Sequence, residues 1–120
     1  MDCIFCKIIM GEIPSMKIYD DDKVIAFLDI NPDSAGHTLI ISKEHYVTLD
    51  DIPITLLNHI GDVSKKMYNL ILNELEADGI TLVQNNGIPQ IIKHYHLHLI
   101  PKYKEDKMLG VTDVYEMLKK

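Results

Sequence analysis

At 120 residues with 47% hydrophobic content and no tryptophan, the chain has apolar material for one compact domain over residues 1–120, packed mainly by aliphatic side chains. A net charge of -6 excludes nucleic-acid binding by bulk electrostatics, though not a local site for a small phosphorylated ligand. No apolar run approaches a membrane span, and the start lacks the basic stretch and small-residue cleavage site of a signal peptide, so a cytoplasmic protein without membrane attachment is expected.

Residues 3–10 are expected to form a short helix stopped by Gly11. The helix contains a C-x-x-C pair, Cys3 and Cys6, too few cysteines for a disulfide framework. The pair reads as two reduced thiols, as a redox pair, or as half of a tetrahedral zinc site. No strand precedes it to supply the usual redox context, and a zinc site needs two further ligands, for which histidine is the plentiful candidate. Residues 17–19 and 24–30 read as strands about the acidic, solvated turn of residues 20–23. Turn chemistry makes residues 31–36 a loop, and residues 37–42 another strand; such short links favour antiparallel pairing. His37 opens that strand and His45 lies just beyond its end.

A helical stretch begins at Pro53 and ends at Gly79. In it Leu57, Ile60, Val63, Met67, Leu70, Ile71 and Leu75 recur at three- and four-residue intervals, one apolar stripe against a sheet. Residues 80–84 form the next strand, and Asn85-Asn86-Gly87 turns the chain. Residues 91–101 alternate with period two, placing His94, His96 and His98 on one strand face and Tyr95, Leu97 and Leu99 on the other. The tail from Asp113 to Lys120 is expected as a short helix capped by Asp113. The sum is an α+β domain with about five antiparallel strands, one long helix and one or two short ones.

The histidine strand carries three readings. It can be a solvated strand face, a zinc or iron centre, or a site of phosphoryl chemistry with imidazole as nucleophile. The last follows from a neutral imidazole near pH 7, able to attack phosphorus and leave again.

Several separated segments together resemble the histidine-triad (HIT) family of nucleotide hydrolases and transferases. They are His94-Tyr95-His96-Leu97-His98-Leu99-Ile100, Cys3-Ile4-Phe5-Cys6-Lys7-Ile8-Ile9, Gly11-Glu12-Ile13-Pro14, Ala26-Phe27-Leu28-Asp29-Ile30-Asn31-Pro32, Gly36-His37-Thr38-Leu39-Ile40-Ile41, Lys43-Glu44-His45 and Asn85-Asn86-Gly87. The resemblance covers residues 3–101, and His98 in the third position places the chain nearer the hydrolase branches. It implies a HIT-like fold and a substrate built on a nucleoside monophosphate, a purine nucleotide or its conjugate. His96 would be the nucleophile, His98 would bind the α-phosphate oxygens, and His37 would orient the cluster. Asp29 would accept from the ribose hydroxyls, Asn85 would contact the sugar–phosphate region, Gln90 would be a further substrate-binding residue, and Ile4, Phe5, Ile8 and Phe27 would line the base pocket. Zinc-bearing members imply a structural Cys₂His₂ shell of Cys3, Cys6, His45 and His94, with no catalytic metal, and family members imply a homodimer. One stretch departs from the pattern. Residues 87–91 are shorter than the corresponding linker, Pro89 has no N–H to offer a phosphate, and Ile91 replaces a polar group near the leaving group. The alternative is therefore a nucleotide-binding partner protein with little turnover.

Overall fold

The computed structural model describes residues 3–119; Lys120, the last residue of the expected tail helix, and residues 1–2 of the expected domain lie outside them. The elements in order are α1 (Ile4–Ile9), β1 (Lys17–Asp20), β2 (Val24–Leu28), β3 (Thr38–Ser42), α2 (Ile54–Leu75), β4 (Gly79–Val83), β5 (His96–Lys102) and α3 (Val111–Leu118). One five-stranded sheet runs β1-β2-β3-β5-β4, and every neighbouring pair is antiparallel. The last strand in sequence thus lies between β3 and β4, covered on both sides.

The period of two sorts the sheet into faces. Val24, Ala26, Leu28, Ile40 and Leu99 meet Ile60, Val63, Met67, Ile71 and Leu75 of α2, with Val114 and Leu118 of α3 behind them. Ile25, Phe27, Leu39 and Ile41 form the other face, and Phe5 and Ile8 of α1 cover it. In the β3–β5 register Leu39 is opposite His98 and Ile41 is opposite His96, so both imidazoles share the α1 face.

Four elements differ from expectation by two residues or more; the second strand ends at Leu28, where its pairing with Thr38 ends, and not at residue 30. The last strand begins at His96, not at residue 91. Its neighbours supply the reason: β3 ends at Ser42 with Ile41 opposite His96, and β4 ends at Val83 opposite His98. With no partner on either side, residues 87–94 fold on themselves. The Gln90 amide donates to the Gly87 carbonyl (3.0 Å) and the His94 amide to the Ile92 carbonyl (2.9 Å). The long helix stops at Leu75, and Glu76 turns out of it with φ 55°. Gly79 is therefore not the stop; it already pairs with Lys102 in β4. Helix α3 starts two residues before Asp113, with Gly110 in the cap position. Asp113 sits in the first turn, where its charge complements the helix dipole. Among the described residues no helix is long and apolar enough to cross a membrane.

Candidate active site and metal centre

The imidazoles of His96 and His98 form the floor of a cavity of about 250 Å³ between α1 and the sheet. Ile4, Phe5, Ile8, Phe27 and Leu39 give it apolar walls, while Asp29 and Asn31 stand at its polar end. The Phe5 ring presents itself edge-on to His96, centroids 5.0 Å apart, which holds the imidazole plane.

Hydrogen bonds determine where each proton sits. His96 Nδ1 lies 2.7 Å from the His94 carbonyl oxygen. A carbonyl only accepts, so Nδ1 carries the proton and Nε2 keeps its lone pair. His37 Nδ1 accepts the backbone N–H of Asp33 at 3.0 Å. The His37 proton is then on Nε2, which donates to His98 Nδ1 at 2.9 Å. His98 in turn carries its proton on Nε2. One imidazole on the floor offers a nucleophilic nitrogen, and its neighbour 4.9 Å away offers an N–H.

Burial depresses the pKa of His96, of His98 and of His37 below the ordinary imidazole value, because it disfavours the cation. The neighbouring imidazole charge depresses His98 further, while Asp29 opposes the shift at His37. All three are neutral at pH 7, as the hydrogen-bond order requires. Asp29 Oδ2 stands 3.7 Å from His37 Nε2, and Oδ1 accepts the Asn31 N–H at 2.9 Å.

The cavity gathers Ile4, Phe5, Ile8, Phe27, Asp29, His96 and His98, and His37 supports it from behind. It does not gather Asn85 or Gln90. Gln90 is only 2% exposed; its Nε2 donates to the Val47 carbonyl at 2.6 Å, and its buried Oε1 has no partner among the described residues. This glutamine braces residue 47 rather than facing the cavity. The lining also includes Ile13, Pro14, Ser15 and Ile92, to which the sequence reading assigned no part. Pro14 gave the usable signal, as a residue of fixed φ placed shortly after the Gly11 turn.

The first triad histidine faces elsewhere. Standing before β5 and fully buried, His94 directs Nδ1 at Cys3 Sγ (3.3 Å) and Cys6 Sγ (3.6 Å). Cys6 Sγ lies 3.2 Å from His45 Nδ1, and the four donor atoms are within 4.8 Å of one another. A tetrahedral ion bound by sulfur and imidazole nitrogen sets such atoms about 3.5 Å apart, so the quartet fits. His94 Nε2 donates to the Ser42 carbonyl at 2.7 Å, leaving Nδ1 as the ligand atom. Burial and the adjacent Cys3 push the Cys6 thiol up to about 11, and burial pulls His94 down to about 4. The imidazole is thus ready to ligate, whereas the thiol needs a cation to lose its proton.

An antiparallel sheet with paired imidazoles under an apolar, carboxylate-rimmed cavity is the arrangement of a HIT domain, and the HIT domain family model matches residues 10–105. The chain belongs to that family. It is 48% identical over 107 residues to an uncharacterized HIT-like protein of Methanocaldococcus jannaschii, covering 87% of this chain and 81% of the relative. It is 45% identical over 115 residues to adenosine 5′-monophosphoramidase HNT1 of Candida albicans, covering 91% of this chain and 76% of that protein. A zinc-bound histidine triad family protein from Mycobacterium smegmatis superimposes with a TM-score of 0.90 at 31% identity, over 98% of this chain and 91% of that one.

Proposed function

We infer that the protein is a nucleotide hydrolase that cleaves at the α-phosphate of a nucleoside phosphoramidate or dinucleoside polyphosphate through a nucleotidyl-His96 intermediate. The observation that carries this is the fixed tautomer of His96, whose Nε2 lone pair opens onto a nucleotide-sized cavity. The purine base enters between Ile4, Phe5, Ile8 and Phe27, and the Asp29 carboxylate accepts from the ribose hydroxyls. His98 Nε2–H donates to the α-phosphate oxygens, where charge gathers as the reaction proceeds. His96 Nε2 attacks phosphorus while the bond to the leaving group breaks; an amine takes up a proton from solvent as it departs, a phosphate leaves as the anion, and the water of the second step returns a proton to solvent. Water then attacks the same phosphorus, the P–N bond breaks, and the nucleoside monophosphate departs as the imidazole is restored. The name of the Candida albicans relative supports the phosphoramidate as substrate class. Asn85, two residues beyond β4, lies outside the cavity lining and is given no contact with the substrate, while Gln90 acts only through the loop it braces.

Cys3, Cys6, His45 and His94 are the residues that would hold a structural zinc ion. With four protein ligands such an ion has no open position and contributes to folding rather than to the reaction. It pins α1, and with it Phe5, against the segment before β5. The unpaired edge of β4, with the exposed Leu82, is the surface for a homodimer.

A second reading, nucleotide binding with little turnover, is favoured by the loop at residues 87–91. Ile88 and Ile91 are 101% and 93% exposed there and provide no polar group for a leaving group. Mass spectrometry after incubation with adenosine 5′-phosphoramidate and a rapid alkaline quench, which preserves a phosphorus–imidazole bond that acid would cleave, separates the two. The expected result is an adenylate mass on the peptide containing His96, absent in His96→Ala. Folded protein that binds AMP yet gives neither adduct nor turnover refutes the hydrolase reading.

A further inference from the structure

The loop from Asp29 to His37 joins β2 to β3 and carries two of the side chains just assigned. It is closed about the His37 ring. The Asp33 amide donates to His37 Nδ1 at 3.0 Å, and the His37 amide donates to the Ser34 carbonyl at 3.1 Å. The residues between them reach outward. Ser34 Oγ donates to the Pro101 carbonyl at 2.6 Å, and the Tyr103 hydroxyl donates to the Ala35 carbonyl at 2.6 Å. Pro101 lies in β5, and Tyr103 directly follows the last residue of that strand. The loop that bears His37 is therefore fastened to the strand that bears His96 and His98. Neither Ser34 nor Tyr103 lines the cavity.

The fastening matters because a neutral imidazole has two tautomers. Were the His37 proton on Nδ1, two N–H groups would face each other at the Asp33 contact, and Nε2 would become an acceptor towards His98. His98 would then have to protonate on Nδ1, and its Nε2 would offer the phosphate a lone pair in place of a donor. A change at one ring nitrogen thus inverts the whole relay. The Asp33 amide excludes that arrangement only while the loop holds it in line with His37 Nδ1. We propose that Ser34 and Tyr103 are positioning residues that fix the proton order of the His37–His98 relay by clamping the 29–37 loop to the far end of β5. The clamp rests on the reading of this site as one for nucleotidyl transfer.

The test combines ring-nitrogen NMR of isotope-labelled protein, recorded without nucleotide, with steady-state kinetics on adenosine 5′-phosphoramidate. Wild type is compared with Tyr103→Phe, Ser34→Ala and the control Tyr19→Phe. The Tyr19 hydroxyl donates to Asp21 at 2.8 Å, a hydrogen bond of the same kind in the β1–β2 hairpin. The wild-type spectrum is expected to show His37 protonated at Nε2. In both clamp variants its nitrogen shifts should move towards a mixture of tautomers. With that, kcat should fall about three- to tenfold, a fraction of the roughly 100- to 1,000-fold that outright loss of an oxyanion donor costs, and KM should change less than about twofold. Tyr19→Phe should move neither quantity. His37 shifts that stay at their wild-type positions in both clamp variants, or a loss of kcat no larger than that of Tyr19→Phe, overturn the clamp. If Tyr103→Phe does not fold, Ser34→Ala decides by the same criteria. Wild-type protein with the expected tautomer but no turnover refutes the hydrolase reading, and the spectra of the variants still decide the clamp.

Discussion

Replacing Gly36 by alanine probes how tightly the segment ahead of His37 is packed, and the structure provides both terms of the cost. The glycine has φ +92°, a conformation that L side chains rarely adopt, and imposing it on alanine costs about 1–2 kcal/mol. A Cβ here would also stand 2.6 Å from Leu75 Cδ1 and 3.2 Å from Pro101 Cγ. Leu75 is fully buried at the end of the α2 stripe, so it cannot step aside without disturbing the core. Overpacking of that kind adds about 1–3 kcal/mol. The sum is about 2–5 kcal/mol out of the roughly 5–15 kcal/mol available to a domain of this size. Gly11 isolates the first term, since it has φ +81° and nothing within 4 Å of its added Cβ. Urea unfolding of both variants should give Gly11→Ala a loss of about 1–2 kcal/mol and Gly36→Ala a clearly larger one, with unchanged m-values. Equal losses would mean that the packing between Gly36 and Leu75 contributes nothing.

Two further outcomes follow from the site. Plasma mass spectrometry should find one zinc per chain in native protein and none in Cys3→Ser, which loses the stability that a ligand held at about a hundred times its Kd supplies, about 2.7 kcal/mol; zinc surviving that change would refute the Cys₂His₂ assignment. Because burial lowers the pKa of His37 and His98, their neutral forms persist to lower pH than in an exposed imidazole. The pH profile of kcat/KM should therefore stay level from about pH 8 through the ordinary imidazole value of about 6.5 and fall only below it, and a break near pH 7 would refute neutral working forms.

Much of the fold is legible in the chain. The stripe from Ile60 to Leu75 and the apolar runs of β2 and β3 carry their periods openly, because burial against one neighbour leaves a regular pattern. The break at His94 is not legible. Ile91 and Ile92 extend the β-branched run ahead of the strand, but pairing depends on where β3 and β4 end, at Ser42 and Val83. Gln90 misleads for a similar reason, because its partner, the Val47 carbonyl, is 43 residues distant and has no side-chain signature. The Asp33 amide is hidden more completely. Any residue has a backbone N–H, so no letter in the sequence marks this one as the group that orders His37.

The irregularity at residue 94 is what connects the two centres. His94 uses its ring for the sulfur cluster, with Nδ1 towards the thiols and Nε2–H on the Ser42 carbonyl. Its own backbone carbonyl accepts from His96 Nδ1. The second use requires that the residue stand outside the sheet. In a regular ladder a carbonyl at this position is taken by the N–H of a neighbouring strand. Ending β3 at Ser42 removes that neighbour and releases the carbonyl to fix the tautomer of His96, while the ring stays on the α1 side, 5.8 Å from Phe5 and against the cysteines. The spacing of three histidines therefore encodes one imidazole with a free Nε2 lone pair, one with an Nε2–H and one turned to the cysteines, and the last is separated from the others by the point at which strand pairing runs out.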